Sequence, residues 1–307
     1  MDPLGLAYAL GAYLSWGLVV PVHFRWLAAL SPETILAQRV MWSGVFVAGL
    51  ILVLRRRLAN PFPLRARHGL LVVSALLIAF NWLLYLVAIA SGRMLDASLG
   101  YFINPLVSVA LGAMVLGERL RPLQGVAVGI AVLGVAVAVA IAGRLPVLSL
   151  GLAVSFALYA LVRKVVGVDG IVGFCAETAL LLPAALVYLA LGPASPLPDA
   201  ATLALTMLTG VTTALPLIWF AEAARRLTLA TLGLMQYLAP TLLMGLSVLV
   251  YGERLETDRI VLFGLIWLGL ALYAADSWRA ARARSTPRSG SDLRGEGGEA
   301  AAGGGAR

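Results

Sequence analysis

Charged residues are scarce in this chain of 307 residues, where Asp, Glu, Lys and Arg together make up 12%. A soluble domain has about 25% of them. Hydrophobic residues reach 61% and the mean hydropathy is +0.94. These values exclude an ordinary water-soluble globular protein, because too little of the surface could be hydrated. Most of the surface is therefore predicted to face lipid.

Cysteine and histidine are almost absent as well. The single cysteine, Cys175, excludes an internal disulfide, and the two histidines, His23 and His68, are both expected in loops. Within the apolar segments there are no paired carboxylates and no residue spacing typical of metal ligands. An enzyme is therefore disfavoured, and we expect no catalytic residue, no metal and no cofactor.

Long apolar runs are what the sequence does contain. Each is long enough to cross a hydrocarbon core of about 30 Å as a helix, and helices are required because lipid offers the backbone no hydrogen-bond partner. The strict alternation of barrel strands is missing. The predicted fold class is all-α integral membrane, with ten transmembrane helices near residues 4–22, 34–54, 69–91, 97–116, 122–142, 147–164, 171–191, 202–221, 229–250 and 258–277.

The basic residues are distributed unevenly between the predicted loops. If both termini are cytoplasmic, 17 of the 23 Lys and Arg residues fall on the inner side, five fall on the outer side, and Arg39 lies within a span. This positive-inside pattern predicts an inner-membrane protein with both termini in the cytoplasm. It also explains the net charge of +8 without nucleic acid, so the expected partners are the lipid bilayer and a small-molecule solute.

The sequence repeats itself at an offset of 135 residues. Pro105 and the Gly-Glu-Arg-Leu block at 117–120 recur as Pro240 and the same block at 252–255. A repeat of this length indicates a duplicated unit and not a solenoid, whose period is about 20–50 residues. The block itself is typical of a turn that ends a helix.

The duplication divides the chain into two five-helix units, residues 1–145 and 146–278. Because five is an odd number, the second unit must be inverted relative to the first, as in many transporters. Residues 279–307 form an Arg/Gly/Ala-rich tail that cannot bury enough apolar surface to fold, so a disordered cytoplasmic tail is predicted.

Several segments resemble the EamA-type members of the drug/metabolite transporter superfamily. The matching segments are Asn81-Trp82, Ala97–Ser108, Gly117–Leu120, Leu161–Lys164 and Thr231–Pro240. The resemblance covers about residues 4–276 and leaves out the tail. It implies a ten-helix inner-membrane permease with a central cavity, and it supplies no substrate.

Two ionisable residues lie inside predicted spans at matching places in the two halves, Arg39 and Glu177. An arginine at mid-bilayer costs about 2.5–3.5 kcal/mol, so such residues usually face a cavity or a partner. The alternative is that Arg39 extends to the outer interface. The inversion separates the two residues by about 10 Å in depth. Glu177 is interpreted either as a proton-coupling site or as a structural hydrogen-bonding group.

Prolines interrupt helices at matching positions. Pro105 and Pro240 should free the carbonyls of Tyr101 and Gln236, and interrupted helices in both halves point to a transport site, although a simple packing kink is the alternative. The predicted cavity residues are Arg39, Asn81, Tyr85, Tyr101, Asn104, Glu177, Gln236 and Tyr237, with kinks at Pro105, Pro216 and Pro240.

The predicted function is secondary transport of a small organic metabolite or drug by alternating access, directed outward. A non-transporting membrane scaffold or a lipid scramblase is the alternative. A scaffold does not need polar, proline-interrupted positions in both halves, which favours the transporter. Small residues such as Gly125, Gly129 and Gly264 allow close helix contacts within one chain or in a homodimer, and the sequence does not separate the two.

Overall fold

The computed structural model describes residues 2–27, 29–54, 69–90, 94–142, 147–192 and 199–250, and then 260, 264–265, 267–269, 271–276 and 279. All regular structure in these ranges is helical. The helices are α1 (Pro3–Leu14), α2 (Val20–Trp26), α3 (Pro32–Val53), α4 (Gly69–Ala90), α5 (Met94–Leu116), α6 (Pro122–Ala142), α7 (Val147–Val166), α8 (Gly170–Leu191), α9 (Ala200–Arg226), α10 (Leu229–Gln236) and α11 (Leu238–Leu249), with a π-helical segment at Ser15–Val19.

Six segments of the described chain are long and apolar enough to cross a membrane: Pro3–Trp26, Pro32–Val53, Val147–Val166, Gly170–Leu191, Ala200–Arg226 and Leu229–Leu246. Shorter apolar stretches occupy Gly69–Tyr85, Gly100–Leu116 and Pro122–Val137. These segments coincide with predicted spans one to nine. The prediction of an all-helical, multi-pass membrane protein is confirmed. Most of the tenth predicted span lies outside the described residues, although 271–276 are helical.

Helices begin where the sequence supplies a capping side chain. The Ser31 hydroxyl accepts a hydrogen bond from the Thr34 amide at 3.3 Å, and Pro32 takes the first helical position, where an N–H is not needed. Asp199 caps α9 by accepting from the Thr202 amide at 2.7 Å. Hydrogen bonds from Thr202 hold the pKa of the exposed Asp199 carboxyl below its ordinary value.

The first span is irregular in its middle. Between α1 and α2 the backbone widens into a π-helical turn, in which the Val20 amide donates to the Ser15 carbonyl. Pro21 follows directly and has no N–H to continue the α-helical pattern. A Cβ added at Gly17 would lie 2.8 Å from the Leu242 Cβ, so glycine lets α11 pack closely against this turn. Such π turns are frequent at functional sites.

The ninth span is broken beside its proline. α10 ends at Gln236, Tyr237 forms a turn, and α11 begins at Leu238, with Pro240 two residues further on. α10 packs tightly on α5, because a Cβ added at Gly233 would lie 2.9 Å from the Pro105 carbonyl oxygen. The proline-containing helix α5 and the first part of the broken ninth span therefore meet inside the bundle.

Candidate functional site

An arginine lies inside the bundle between two aromatic rings. The Arg39 guanidinium carbon is 4.9 Å from the centre of the Phe24 ring and 4.8 Å from the centre of the Trp82 ring. These are cation–π distances. Arg39 Nε donates a hydrogen bond to the Thr213 hydroxyl at 3.0 Å. Four helices, α2, α3, α4 and α9, thus position one cation.

Two tyrosines complete this group, which we call the Arg39 centre: Arg39, Phe24, Trp82, Tyr85, Tyr101 and Thr213. The Tyr85 and Tyr101 rings lie 6.2 Å apart, tilted by 59°, and both interact electrostatically with Arg39. Tyr101 is 40% exposed. It shares a helix face with Pro105 and Ser108, which are buried, so Tyr101 lies on the face of α5 that packs against the bundle.

A small cavity adjoins the Arg39 centre. It has room for about one water molecule. Its lining residues are mainly apolar and come from α3, α4, α8 and α9: Val40, Ser43, Ile78, Trp82, Phe174, Glu177, Thr178, Leu181 and Leu217. Trp82 thus borders the cavity on one side and Arg39 on the other. Ser43 lies one helical turn from Arg39, which sets both on the same face of α3.

Glu177 forms a second polar group, the Glu177 centre, consisting of Glu177, Ser74, Tyr159 and Arg163. The Ser74 hydroxyl donates to one carboxylate oxygen at 2.5 Å, and the Tyr159 hydroxyl donates to the other at 3.4 Å. Arg163 Nη1 lies 3.5 Å from the first oxygen, and both side chains of this ion pair are almost fully buried. The Glu177 carboxylate, on α8, is therefore held by side chains of two other helices, α4 and α7.

Arg163 fits because the opposite position is a glycine. A Cβ built at Gly173 would lie 1.7 Å from Arg163 Nη1, so any side chain there would displace the guanidinium. Arg163 Nη2 also donates to the Gly170 carbonyl at 3.4 Å. Arg163 was expected to be one of the 17 basic residues on the cytoplasmic side, whereas it is buried in α7. Glu177 is thus paired with Arg163 and not with Arg39.

The residues beside the helix interruptions bond across the bundle. The Tyr237 hydroxyl donates to the Phe102 carbonyl at 3.0 Å, and these two residues are 135 positions apart, which is the offset of the sequence repeat. Pro105 was expected to free the carbonyl of Tyr101. The carbonyl that accepts this hydrogen bond from Tyr237 is that of the next residue, Phe102. Gln236 is buried beside the break. Pro105 and Pro216 are also buried inside their helices, whereas Pro240 is partly buried.

The two predicted asparagines bind the backbone of α7. Asn81 donates to the Leu152 carbonyl and the Ser155 hydroxyl, both at 2.9 Å. Asn104 donates to the Ala153 carbonyl at 2.7 Å. Both side chains are buried, so they hold α4 and α5 against α7. Their contacts differ from those of Tyr85 and Tyr101, which lie with Arg39.

One end of the bundle is closed by charged side chains. Gly117, with φ of +64°, ends α5 in the left-handed conformation. The next residue, Glu118, caps α10: its carboxylate accepts hydrogen bonds from the amides of Leu229 at 2.8 Å and Ala230 at 3.1 Å. Lys164 lies 4.0 Å from the Glu118 carboxylate and donates to the Leu227 carbonyl.

A second carboxylate strengthens the same end. Glu222 accepts from the Gly170 amide at 2.6 Å and pairs with Arg225 at 2.8 Å. Arg226 reaches Asp2, before α1, at 3.4 Å. The Glu118 carboxylate lies against Gly112, which is about 16 Å from Tyr101 along α5 at 1.5 Å per residue. The charged closure and the Arg39 centre are therefore well separated along the bundle.

Sequence reasoning missed several residues of these groups. Phe24, Thr213, Ser74 and Arg163 were not among the predicted cavity residues, since nothing in their local pattern separates them from packing or loop residues. His23 was expected in a loop; it lies in α2, buried, within 2.9 Å of both the Thr212 hydroxyl and the Leu205 carbonyl. His68 lies outside the described residues.

The fold and these polar groups define a multi-pass membrane protein whose helices surround a partly polar, aromatic-lined interior. Residues 3–140 match the profile of the EamA-like transporter family. The chain is 42% identical to an uncharacterized transporter of Vibrio cholerae, covering 92% of this chain and 96% of the relative. It is also 42% identical to Protein RarD of Escherichia coli, covering 89% and 94%.

A solved crystal structure shares the fold, with a TM-score of 0.69 at 21% identity over 87% of this chain and 96% of that one. At 21% identity, this similarity is evidence for a shared fold and not for a shared function. The identity to the curated relatives extends over nearly the whole chain. The chain therefore belongs to the EamA-like transporter family, as its motifs predicted, and RarD proteins are among its relatives.

Proposed function

We propose that this protein is a secondary transporter that moves a small organic solute across the cytoplasmic membrane by alternating access, in the outward direction. The observation that carries the proposal is Arg39: a cation inside the bundle, partly buried, beside a cavity and without a carboxylate partner in the described chain. Ionisable residues inside membrane spans mark solute or ion pathways by default.

We further propose ten spans in two inverted halves, residues 1–145 and 146–278, with both termini in the cytoplasm. The hydrogen bond between Tyr237 and Phe102 supports this arrangement. Equivalent residues of two copies can touch only near the axis that relates the copies. Transporters place their solute sites at such a seam between repeats.

The unequal ends of the bundle support alternating access. The end that contains Glu118, Lys164 and Glu222 is held together by ion pairs and capped helix termini. Tyr101, on the other side of the middle, is 40% exposed. In the proposed topology the charged end is cytoplasmic. This conformation then corresponds to a state closed to the cytoplasm, and transport requires the Glu118 contacts with α10 to open.

Glu177 has a structural role in this proposal. Three donors already hold its carboxylate, and one of them, Arg163, is a permanent cation. A proton-coupling site must instead exchange its proton during the cycle. If Glu177 carries the coupling proton, Glu177→Gln should abolish pH-driven flux in vesicles. Flux that keeps its pH dependence in this variant supports the structural role.

A membrane scaffold or a scramblase does not need an unpaired cation inside the bundle. We propose to compare metabolites in the medium of cells with and without the gene, and then to measure flux of the differing solute in proteoliposomes. Tyr101→Ala should reduce flux at least several-fold, because Tyr101 borders the Arg39 centre. Met114→Ala is the matched control, since Met114 is 75% exposed on the same helix. Equal flux in both variants would remove Tyr101 from the pathway.

A further inference from the structure

The Arg39 centre points to the chemical class of the solute. We propose that it binds an organic anion, with the carboxylate of the solute on the Arg39 guanidinium and its apolar body against the aromatic rings of the same centre. The inference rests on the proposed transport function, since it names the cargo of the same site.

The charge of Arg39 has no counter-ion within the described chain. The nearest protein partners are the Thr213 hydroxyl and the faces of Phe24 and Trp82, and none of these carries a negative charge. Glu177, which lines the adjoining cavity, is paired with Arg163. An unpaired cation in a membrane interior is costly, and an anionic solute that binds there recovers part of this cost. A cationic solute would be repelled.

The geometry of the guanidinium favours a carboxylate. Nε is occupied by Thr213, and in the described chain the two terminal amino groups, Nη1 and Nη2, have no protein acceptor. These two groups form the parallel fork that binds both oxygens of a carboxylate. Phe24 and Trp82 contact the guanidinium by cation–π interactions, which use none of its hydrogen-bond donors. The hydroxyls of Tyr85 and Tyr101, which have no acceptor in the described chain either, are additional donors for the same anion.

The aromatic side chains of the Arg39 centre suit an apolar or aromatic body. The Phe24 and Trp82 rings lie beside the guanidinium, and the Tyr85 and Tyr101 rings lie 6.2 Å apart in the same group. The exposed part of the Tyr101 ring offers a further surface for stacking. A solute with a carboxylate at one end and a ring or branched chain at the other satisfies both parts of the site. Neutral solutes of the same shape gain the apolar contacts alone.

The test uses the purified full-length protein and probes that share one ring: benzoate, its neutral isostere benzamide, and phenyl phosphate. Binding is measured by titration calorimetry. Benzoate should bind about tenfold to a hundredfold more tightly than benzamide, the gain from hydrogen bonds to a charged group. This comparison needs no substitution, so it does not depend on a variant folding. Equal binding of benzoate and benzamide, or no binding of benzoate, would overturn the proposal. Tighter binding of phenyl phosphate than of benzoate would overturn the choice of a carboxylate.

Variants test whether Arg39 causes the preference for benzoate over benzamide. Arg39→Gln should abolish the advantage of benzoate over benzamide, whereas Arg39→Lys should keep part of it, because the charge remains and the fork is lost. Arg225→Gln is the matched control: it removes the same charge from the ion pair with Glu222 and should leave the preference unchanged. A preference that survives Arg39→Gln, or that Arg225→Gln removes equally, would refute the role of Arg39.

Counterflow in proteoliposomes separates this inference from the transport proposal. Flux of neutral and anionic solutes at equal rates, unchanged in Arg39→Gln, would refute the anion site and leave transport intact. Arg39-dependent binding of benzoate without counterflow of any solute would refute transport and leave the anion site intact. Faster counterflow of benzoate than of benzamide, lost in Arg39→Gln, supports both.

Discussion

The buried pair of Arg163 and Glu177 provides the sharpest test of the packing. Replacing Arg163 with Met removes one charge and leaves the Glu177 carboxylate, 3% exposed, with the hydroxyls of Ser74 and Tyr159 as its remaining donors. Breaking a buried pair by removing one partner costs about 3–5 kcal/mol, because an uncompensated buried charge remains. We expect Arg163→Met to lower the free energy of unfolding by about that amount.

The double variant Arg163→Met/Glu177→Gln identifies the cause. It removes both charges, so its loss should be smaller than the sum of the two single losses by about 1–3 kcal/mol. The assay is unfolding in mixed micelles at increasing dodecyl sulfate, followed by circular dichroism. Arg121→Met is the control: the Arg121–Asp276 ion pair is shorter, 2.6 Å, but Arg121 is 38% exposed. Its loss should cost about 1 kcal/mol or less. Additive losses in the double variant, or an equal loss for Arg121→Met, would refute the reasoning.

Two further predictions concern the helix pair α5 and α10. Glu118→Ala should lower the free energy of unfolding by about 1–2 kcal/mol in the same assay, because the amides of Leu229 and Ala230 lose their hydrogen-bond acceptor. An unchanged midpoint of unfolding would mean that the cap does not stabilise the protein. Gly233→Val should cost about 1–3 kcal/mol by forcing α10 away from Pro105. Gly129→Val should cost little, because no atom of the described chain lies within 4 Å of a Cβ added there. Equal losses at the two glycines would contradict the close packing.

The helices follow from the sequence because each apolar run is bounded by its own signals. Ser31-Pro32 begins α3 and Gly117 ends α5, and both features are visible in the sequence. Long apolar segments leave no other choice in lipid. The interruption of the first span at Ser15–Val19 was not predicted. Pro21 lies close to the end of the predicted span, where a proline indicates the end of a helix and not an interruption within it.

The candidate site was predictable only in part. Arg39 stands out because a charge inside an apolar run is rare, and its neighbours Tyr85 and Tyr101 were also predicted. Phe24 and Thr213 were not, because an aromatic or a threonine in a membrane helix carries no local sign of what it faces. Arg163 ends an apolar run, which is where loop charges occur. Its burial depends on Gly173 in the next helix, a contact that exists only after the two helices pack.

The inversion of the two halves is the central claim, and cysteine accessibility measures it most directly. In a Cys175→Ala background, single substitutions Arg119→Cys and Arg254→Cys place thiols at positions 135 residues apart, in the two copies of the Gly-Glu-Arg-Leu block. The account predicts that a membrane-impermeant maleimide labels position 254 in intact cells and position 119 only after the cells are opened. Labelling of both positions from the same side of the membrane would contradict it.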